Sequence, residues 1–259
     1  MSELHKIALQ ILSGGKGILA ADESTTTMTN RLNSVKVHSD ENNRLLFRQI
    51  LFSSLSMKKC IGGVILYDET IKQKTSTGET IPDLINSNGS LTGIKVDTGA
   101  KILAGSEKEK ITEGLDGLRE RLENYYKLGA KFTKWRGVYS ISEKHPSNLA
   151  ISANAHALAR YAALVQEAGM VPIIEPEVLM DGNHSSEDCL KKTSEVIKKC
   201  FEQLELNNFD LKGTILKPNM ILPGANCNEK ISNEEIAEIT LKCLKECVPS
   251  EVPGIAFLS

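Results

Sequence analysis

Gly213-Thr214-Ile215-Leu216-Lys217-Pro218-Asn219-Met220 is an apolar run that ends on a lysine and is closed at once by a proline. The run suits a strand covered on both faces. Pro218 has no N–H to give a ladder, so the strand is expected to stop just after Lys217. That lysine then stands at the mouth of a sheet with an apolar floor beneath it. Burial penalises an ammonium and lowers its pKa. An ordinary lysine, with a pKa of about 10.4, is neutral roughly once in two thousand at neutral pH, whereas a pKa of about 7 leaves about half of it as amine. Such an amine can attack a carbonyl and form a Schiff base. A strand-end lysine that only snorkels to water reads the same in isolation.

The same pattern recurs upstream. Val171-Pro172-Ile173-Ile174-Glu175-Pro176-Glu177 is again an apolar run with acids and a proline at its end. In Lys131-Phe132-Thr133-Lys134-Trp135-Arg136, period-two alternation puts Phe132, Lys134 and Arg136 on one face. Gly93-Ile94-Lys95-Val96-Asp97, Gly62-Gly63-Val64-Ile65-Leu66-Tyr67 and Gly17-Ile18-Leu19-Ala20-Ala21-Asp22 read as earlier strands, with Ile18, Ala20 and Asp22 on one face of the first. Downstream, Pro253-Gly254-Ile255-Ala256-Phe257-Leu258-Ser259 begins a seventh.

Helical spacing falls between the strands: near Leu4 to Leu12, over 41–57, from Leu115 through Tyr125 to a cap at Gly129, over 147–168, from Ser186 to Leu204, and up to about Glu246. Ser232 and Glu235 form a capping box for the last helix. The threonines before Arg31 and the span from Thr75 to Thr92 read as loops. Strand–helix alternation predicts a parallel sheet. Lys134, Glu175, Lys217 and Ser259 follow one another at steps of 41, 42 and 42 residues, one βα unit each. No linker or shift of composition interrupts 1–259, which reads as one domain.

Charge decides between α/β architectures. Asp22, Lys95, Lys134, Arg136, Glu175, Glu177 and Lys217 all lie at C-terminal ends of expected strands. In a (β/α)8 TIM barrel those ends converge on one mouth. A doubly wound sheet would spread them along a crevice and would usually carry a G-x-G-x-x-G turn, which this sequence lacks. The fold class is therefore α/β, a (β/α)8 barrel with about seven of eight strands. An open barrel would expose two edges, so the natural chain is expected to continue past Ser259.

Composition removes other classes. The 259 residues are 41% hydrophobic and 25% charged, enough for a large core, and the net charge of −2 offers no basic field for nucleic acid. No run of 18 apolar residues exists to span a membrane, and the start has no signal-peptide core. The six cysteines are sparse and read as free thiols of a reducing compartment, the cytoplasm. Cys243 and Cys247 stand one helical turn apart without a neighbouring histidine, and no histidine pair has i,i+4 spacing, so no metal site is expected.

The charged mouth suits a phosphorylated carbonyl substrate. Lys134 and Lys217 facing one pocket should lower at least one pKa. Glu175 and Asp22 can carry protons. Lys95, Arg136, Arg31 and Arg44 can hold anions, phosphates above all. A rim of structural ion pairs is the alternative.

These stretches, with Ile61-Gly62-Gly63-Val64-Ile65-Leu66 and Ile174-Glu175-Pro176-Glu177-Val178, resemble class I fructose-1,6-bisphosphate aldolase over essentially the whole chain. The resemblance implies a metal-independent, cofactor-free cytoplasmic lyase, usually a homotetramer. It would cleave fructose 1,6-bisphosphate to dihydroxyacetone phosphate and glyceraldehyde 3-phosphate. It makes Lys217 the Schiff-base lysine, Glu175 the acid/base for carbinolamine dehydration, and Asp22 the acceptor of the C4 hydroxyl proton. Lys134 would polarise and stabilise, with Glu177 a supporting carboxylate. Ser24, Thr27, Arg31, Lys95 and Arg136 match substrate positions, several at the distal phosphate, with Arg44 a further basic position. Thr27 stands where many relatives have serine. Ser259 matches a proximal-phosphate position, but the glycines, strand eight with its arginine and the tail that follow in the family are not in this sequence, so weak or no activity is expected of these residues alone. Open alternatives are another Schiff-base barrel such as a transaldolase, a metal-dependent aldolase, and a scaffold binding actin or acidic adhesin tails.

Overall fold

Six parallel strands lie side by side in the order in which the chain makes them. The computed structural model describes residues 1–258. The strands are β1 (Gly17–Ala21), β2 (Ile61–Leu66), β3 (Leu91–Lys95), β6 (Phe132–Tyr139), β7 (Val171–Val178) and β8 (Ile215–Leu216). Between β3 and β6 an antiparallel hairpin, β4 (Gly99–Ile102) and β5 (Lys110–Glu113), stands outside the sheet. Every crossover steps to the next neighbour, as barrel closure requires. A doubly wound sheet would reverse direction at a switch point, and none occurs among the described strands.

The helices are α1 (Glu3–Leu12), α2 (Thr25–Ser34), α3 (Glu41–Phe52), α4 (Met57–Cys60), α5 (Asp68–Ile71), α6 (Ile81–Ser87), α7 (Leu118–Lys127), α8 (Asn148–Glu167), α9 (Ser186–Leu206) and α10 (Asn233–Cys247). Two apolar layers use the two faces of the strands. On one, Ile18, Ile65, Leu91, Phe132, Val171, Ile173 and Ile215 gather with Ile7, Ala8 and Ile11 of α1. On the other, residues such as Trp135, Ile174 and Leu216 pack against α7 to α10. The alternation read from β1 and β6 therefore sorts side chains between an inner layer plugged by α1 and an outer helical coat.

Close approach explains two glycines. A Cβ on Gly62 would lie 1.8 Å from the Ile11 carbonyl oxygen, and one on Gly93 would lie 2.2 Å from the Phe132 ring. Only glycine lets α1 seat against β2 and lets the phenyl ring fill the inner layer. On the outer face, Trp135 is fully buried with its ring 5.3 Å from that of Tyr161 on α8.

Several expected boundaries move. The seventh strand is a single parallel bridge, Leu216 to Ile255, flanked by Leu216 N–H donating to Gly254 O at 3.2 Å and Ala256 N–H to Leu216 O at 2.9 Å. Pro218 cuts β8 to two residues, so little ladder remains for a neighbour to extend. The threonines 25–27 open α2, where the Ser24 hydroxyl accepts from Thr27 N–H and Met28 and Leu32 are buried. The Thr75–Thr92 span contains α6, capped by Thr80 with Pro82 in its first turn, and the start of β3. The helix expected over 41–57 breaks after Phe52, and a separate short turn begins at Met57. Both Ser232–Glu235 and Ser185–Asp188 form capping boxes.

Candidate active site

The inner face becomes polar at the C-terminal strand ends. On β6 the sequence Phe132, Lys134, Arg136 turns the same face from apolar to cationic within four residues, and on β7 Ile173 gives way to Glu175 and Glu177. Register sets Arg136 beside Glu175 and Lys95 of β3 beside Lys134. Lys217 follows β8 and is held there by its N–H donating to Ile174 O at 2.8 Å. Asp22 follows β1 directly.

Four of these side chains form one chain of contacts. Lys217 Nζ donates to Glu175 Oε1 at 2.6 Å. Lys134 Nζ lies 3.4 Å from Glu175 Oε2 and 2.7 Å from Asp22 Oδ2. Lys134 is 5% exposed and Glu175 3%. Glu175 Oε2 has no hydrogen-bond partner among the described residues, so its link to Lys134 is Coulombic.

The expected fall in a lysine pKa is not what Lys134 shows. Burial pushes its ammonium down, but the carboxylates of Glu175, Asp22 and Asp97 together outweigh burial and hold it above the usual lysine range. Lys134 is thus a fixed cation between two carboxylates.

The flanks carry further pairs. Arg136 Nε donates to Glu177, and Lys95 Nζ donates to the Asp97 carboxylate and, at 2.8 Å, to Asp97 O. Asp97 also accepts from Gly99 N–H at 3.1 Å, so one carboxylate anchors both Lys95 and the root of the hairpin. A cavity of about 790 Å3 opens beside this strand end, bordered by Tyr67, Lys72, Lys95, Asp97 and Arg121. Ser24 and Thr27 sit at the start of α2 with hydroxyl oxygens 3.1 Å apart. Arg31, on the same helix, pairs with Glu23.

The structure therefore brings Asp22, Lys134, Glu175 and Lys217 into contact. Lys95 and Arg136 adjoin them by register, Glu177 joins through its pair with Arg136, and Ser24, Thr27 and Arg31 lie on the segment just after Asp22. Arg44 is separate: its guanidinium is taken by Glu69, with Nε donating at 2.9 Å, and it touches none of the four. Ser259 lies outside the described residues. Sequence reading missed Asp97 as a counter-ion and missed Glu23 and Arg48. Arg48 is 1% exposed and donates to Glu23 O at 2.6 Å and Thr70 Oγ1 at 2.8 Å. A cation one helical turn after Arg44, amid the leucines of α3, was the available signal.

Comparison with known proteins agrees with this geometry. Residues 3–259 match the family model of glycolytic class-I fructose-bisphosphate aldolase. A probable class 1 fructose-bisphosphate aldolase of Xanthomonas axonopodis pv. citri is 49% identical over 259 residues, covering 100% of this chain and 78% of that protein. Fructose-bisphosphate aldolase C of Carassius auratus is 50% identical over 258 residues, 99% of this chain and 71% of its own length. The Plasmodium falciparum fructose-bisphosphate aldolase, solved as a ternary co-crystal with TRAP and a small-molecule inhibitor, superposes with a TM-score of 0.98 at 41% identity, over 99% of this chain and 75% of that one. With sheet order, strand-end charges and similarity along the whole of this chain in accord, the chain belongs to the class I fructose-bisphosphate aldolase family.

Proposed function

We propose that Lys217 is the amine through which this aldolase cleaves fructose 1,6-bisphosphate. The observation that carries the assignment is Glu175 Oε1 at 2.6 Å from Lys217 Nζ, with the second oxygen of the same carboxylate facing Lys134. Glu175 takes a proton from the Lys217 ammonium. The freed amine adds to the C2 carbonyl. Glu175 then returns the proton to the carbinolamine hydroxyl, which leaves as water and yields the iminium. Asp22 accepts the C4 hydroxyl proton. As the C3–C4 bond breaks, its electron pair moves into the iminium, giving an enamine and glyceraldehyde 3-phosphate. Protonation and hydrolysis release dihydroxyacetone phosphate and restore Lys217. Lys134 keeps its charge throughout and steadies the carboxylates on both sides.

Lys95, Arg136, Arg31, Ser24 and Thr27 serve the phosphates, and Glu177 fixes Arg136. Binding energy from those remote groups orients the reacting carbons. Arg44, paired with Glu69 and apart from the four contacting side chains, is a further basic position with a less direct part. Borohydride reduction in the presence of dihydroxyacetone phosphate, followed by peptide mass spectrometry, is expected to place the adduct on Lys217. An adduct on Lys134 or elsewhere overturns the assignment. Homotetramer formation and a cytoplasmic location complete the proposal, and light scattering and cell fractionation check them.

A further inference from the structure

Three charges stand in a row behind Asp22. Glu23 Oε1 accepts from the half-exposed guanidinium of Arg31. Its other oxygen, Oε2, has no hydrogen-bond partner among the described residues and lies 3.7 Å from a terminal nitrogen of buried Arg48. Arg48 has spare capacity too, since its Nε also lacks a partner there. It cannot drift toward Glu23 or away from it, because its two terminal nitrogens are tied to Glu23 O and Thr70 Oγ1. Glu23 thus has one oxygen hydrogen-bonded to Arg31 and the other in a longer ion pair with Arg48, short of a hydrogen bond.

We propose that Glu23 is a positioning residue that occupies the anion site of Arg31 from within the protein and yields it by turning to Arg48. The inference rests on the reading of Arg31 as a phosphate ligand. A carboxylate and a phosphate both engage the guanidinium fork, so Glu23 and an incoming phosphate compete for one set of donors. The exposed pair with Arg31 is cheap to break. Glu23 itself is mostly buried, and stranding it without a partner would be costly. Arg48 removes that cost, and only side-chain torsions are needed to reach it. Because Glu23 adjoins Asp22 in the chain, phosphate capture then resets the residue next to the proton acceptor. Until the exchange occurs, the apparent phosphate affinity is reduced by the fraction of molecules in which Arg31 is free.

Calorimetric titration of the protein with inorganic phosphate tests this. Glu23→Gln is expected to bind phosphate about five-fold tighter, the opposite of what damage to the site would do. Arg31→Met is expected to bind several-fold more weakly, and the double variant to match Arg31→Met, because the gain needs Arg31. If Glu23→Gln does not melt cooperatively, Glu23→Asp replaces it: one methylene shorter, it keeps a charge beside Arg48 but falls short of Arg31, and the same tightening is expected. Unchanged or weaker binding in the folded Glu23 variant overturns the inference while leaving Arg31 as a ligand. A gain that persists without Arg31 overturns it as a general charge effect. No effect of Arg31→Met removes the underlying reading and the inference with it.

Discussion

Lys134 shows how one charge can hold two others in place. Its ammonium lies between Asp22 and Glu175, and they in turn keep it protonated despite burial. Replacing it with methionine would leave Asp22 and Glu175 on either side of an apolar side chain, without the cation that now lies between them. Lys134→Met is expected to lower kcat by about 100-fold or more, the range found on deleting a single electrostatic stabiliser. Steady-state kinetics across pH check this, and a shift of the profile separates the effect from simple loss of fold. The four side chains that meet, Asp22, Lys134, Glu175 and Lys217, were legible because each breaks an apolar run where a strand ends. Lys217 and Glu175 are also followed by prolines that mark those ends. Glu23 and Arg48 were not legible, because a contact across 25 residues leaves no local pattern.

At the scale of elements, the plug formed by α1 is the feature most exposed to a small change. Gly62→Ala places a methyl group inside the Ile11 carbonyl, so α1 must lift from β2. The expected cost is about 1–3 kcal/mol, the range for overpacking a filled site. Urea melts measure that loss, and amide exchange should become fast in residues 3–12 while α8 and α9 stay protected. Elements whose sequence has a clear period were readable: the strands alternate and α8, α9 and α10 carry a buried stripe. Helix α2 was not, because threonine is a weak helix former and the helix relies on the Ser24 cap and on burial of Met28 and Leu32. The β4–β5 hairpin was missed for a similar reason. Its strands are mostly exposed, so Lys101 and Lys110 carry no alternation to read.

For the whole molecule, ionisation predicts a stability plateau bounded on both sides. Glu69 is held below its ordinary value of 4.5 by the hydrogen bond from Arg44. Burial pushes Glu109 up, but hydrogen bonds from Ser147 and Ser106 outweigh it and hold this carboxyl below 4.5 as well. A carboxyl depressed on folding adds stability that is present above its unfolded value and is lost as pH falls through the folded one. Burial pushes the Cys200 thiol from 9.0 up to about 12, so its neutral form favours the fold until pH climbs past 9.0. Lys134, raised on folding, contributes fully below 10.5 and loses that contribution as pH rises through its folded value. Thermal melts are therefore expected to be flat from about pH 5 to about 8.5 and to fall on either side. Glu109→Gln should flatten the acid limb without moving the alkaline one.

The tryptophan sealed between β6 and α8 gives the enzyme a built-in optical gauge. Trp135 is the sole indole in the chain and sits between Lys134 and Arg136 in sequence, yet on the opposite face of their strand. Its emission should be blue while the helical coat is seated and should move to the red when α8 parts from β6. Filling the charged mouth at the strand ends should leave that colour nearly constant. One fluorescence cuvette can thus distinguish a variant that has lost its chemistry from one that has lost its scaffold.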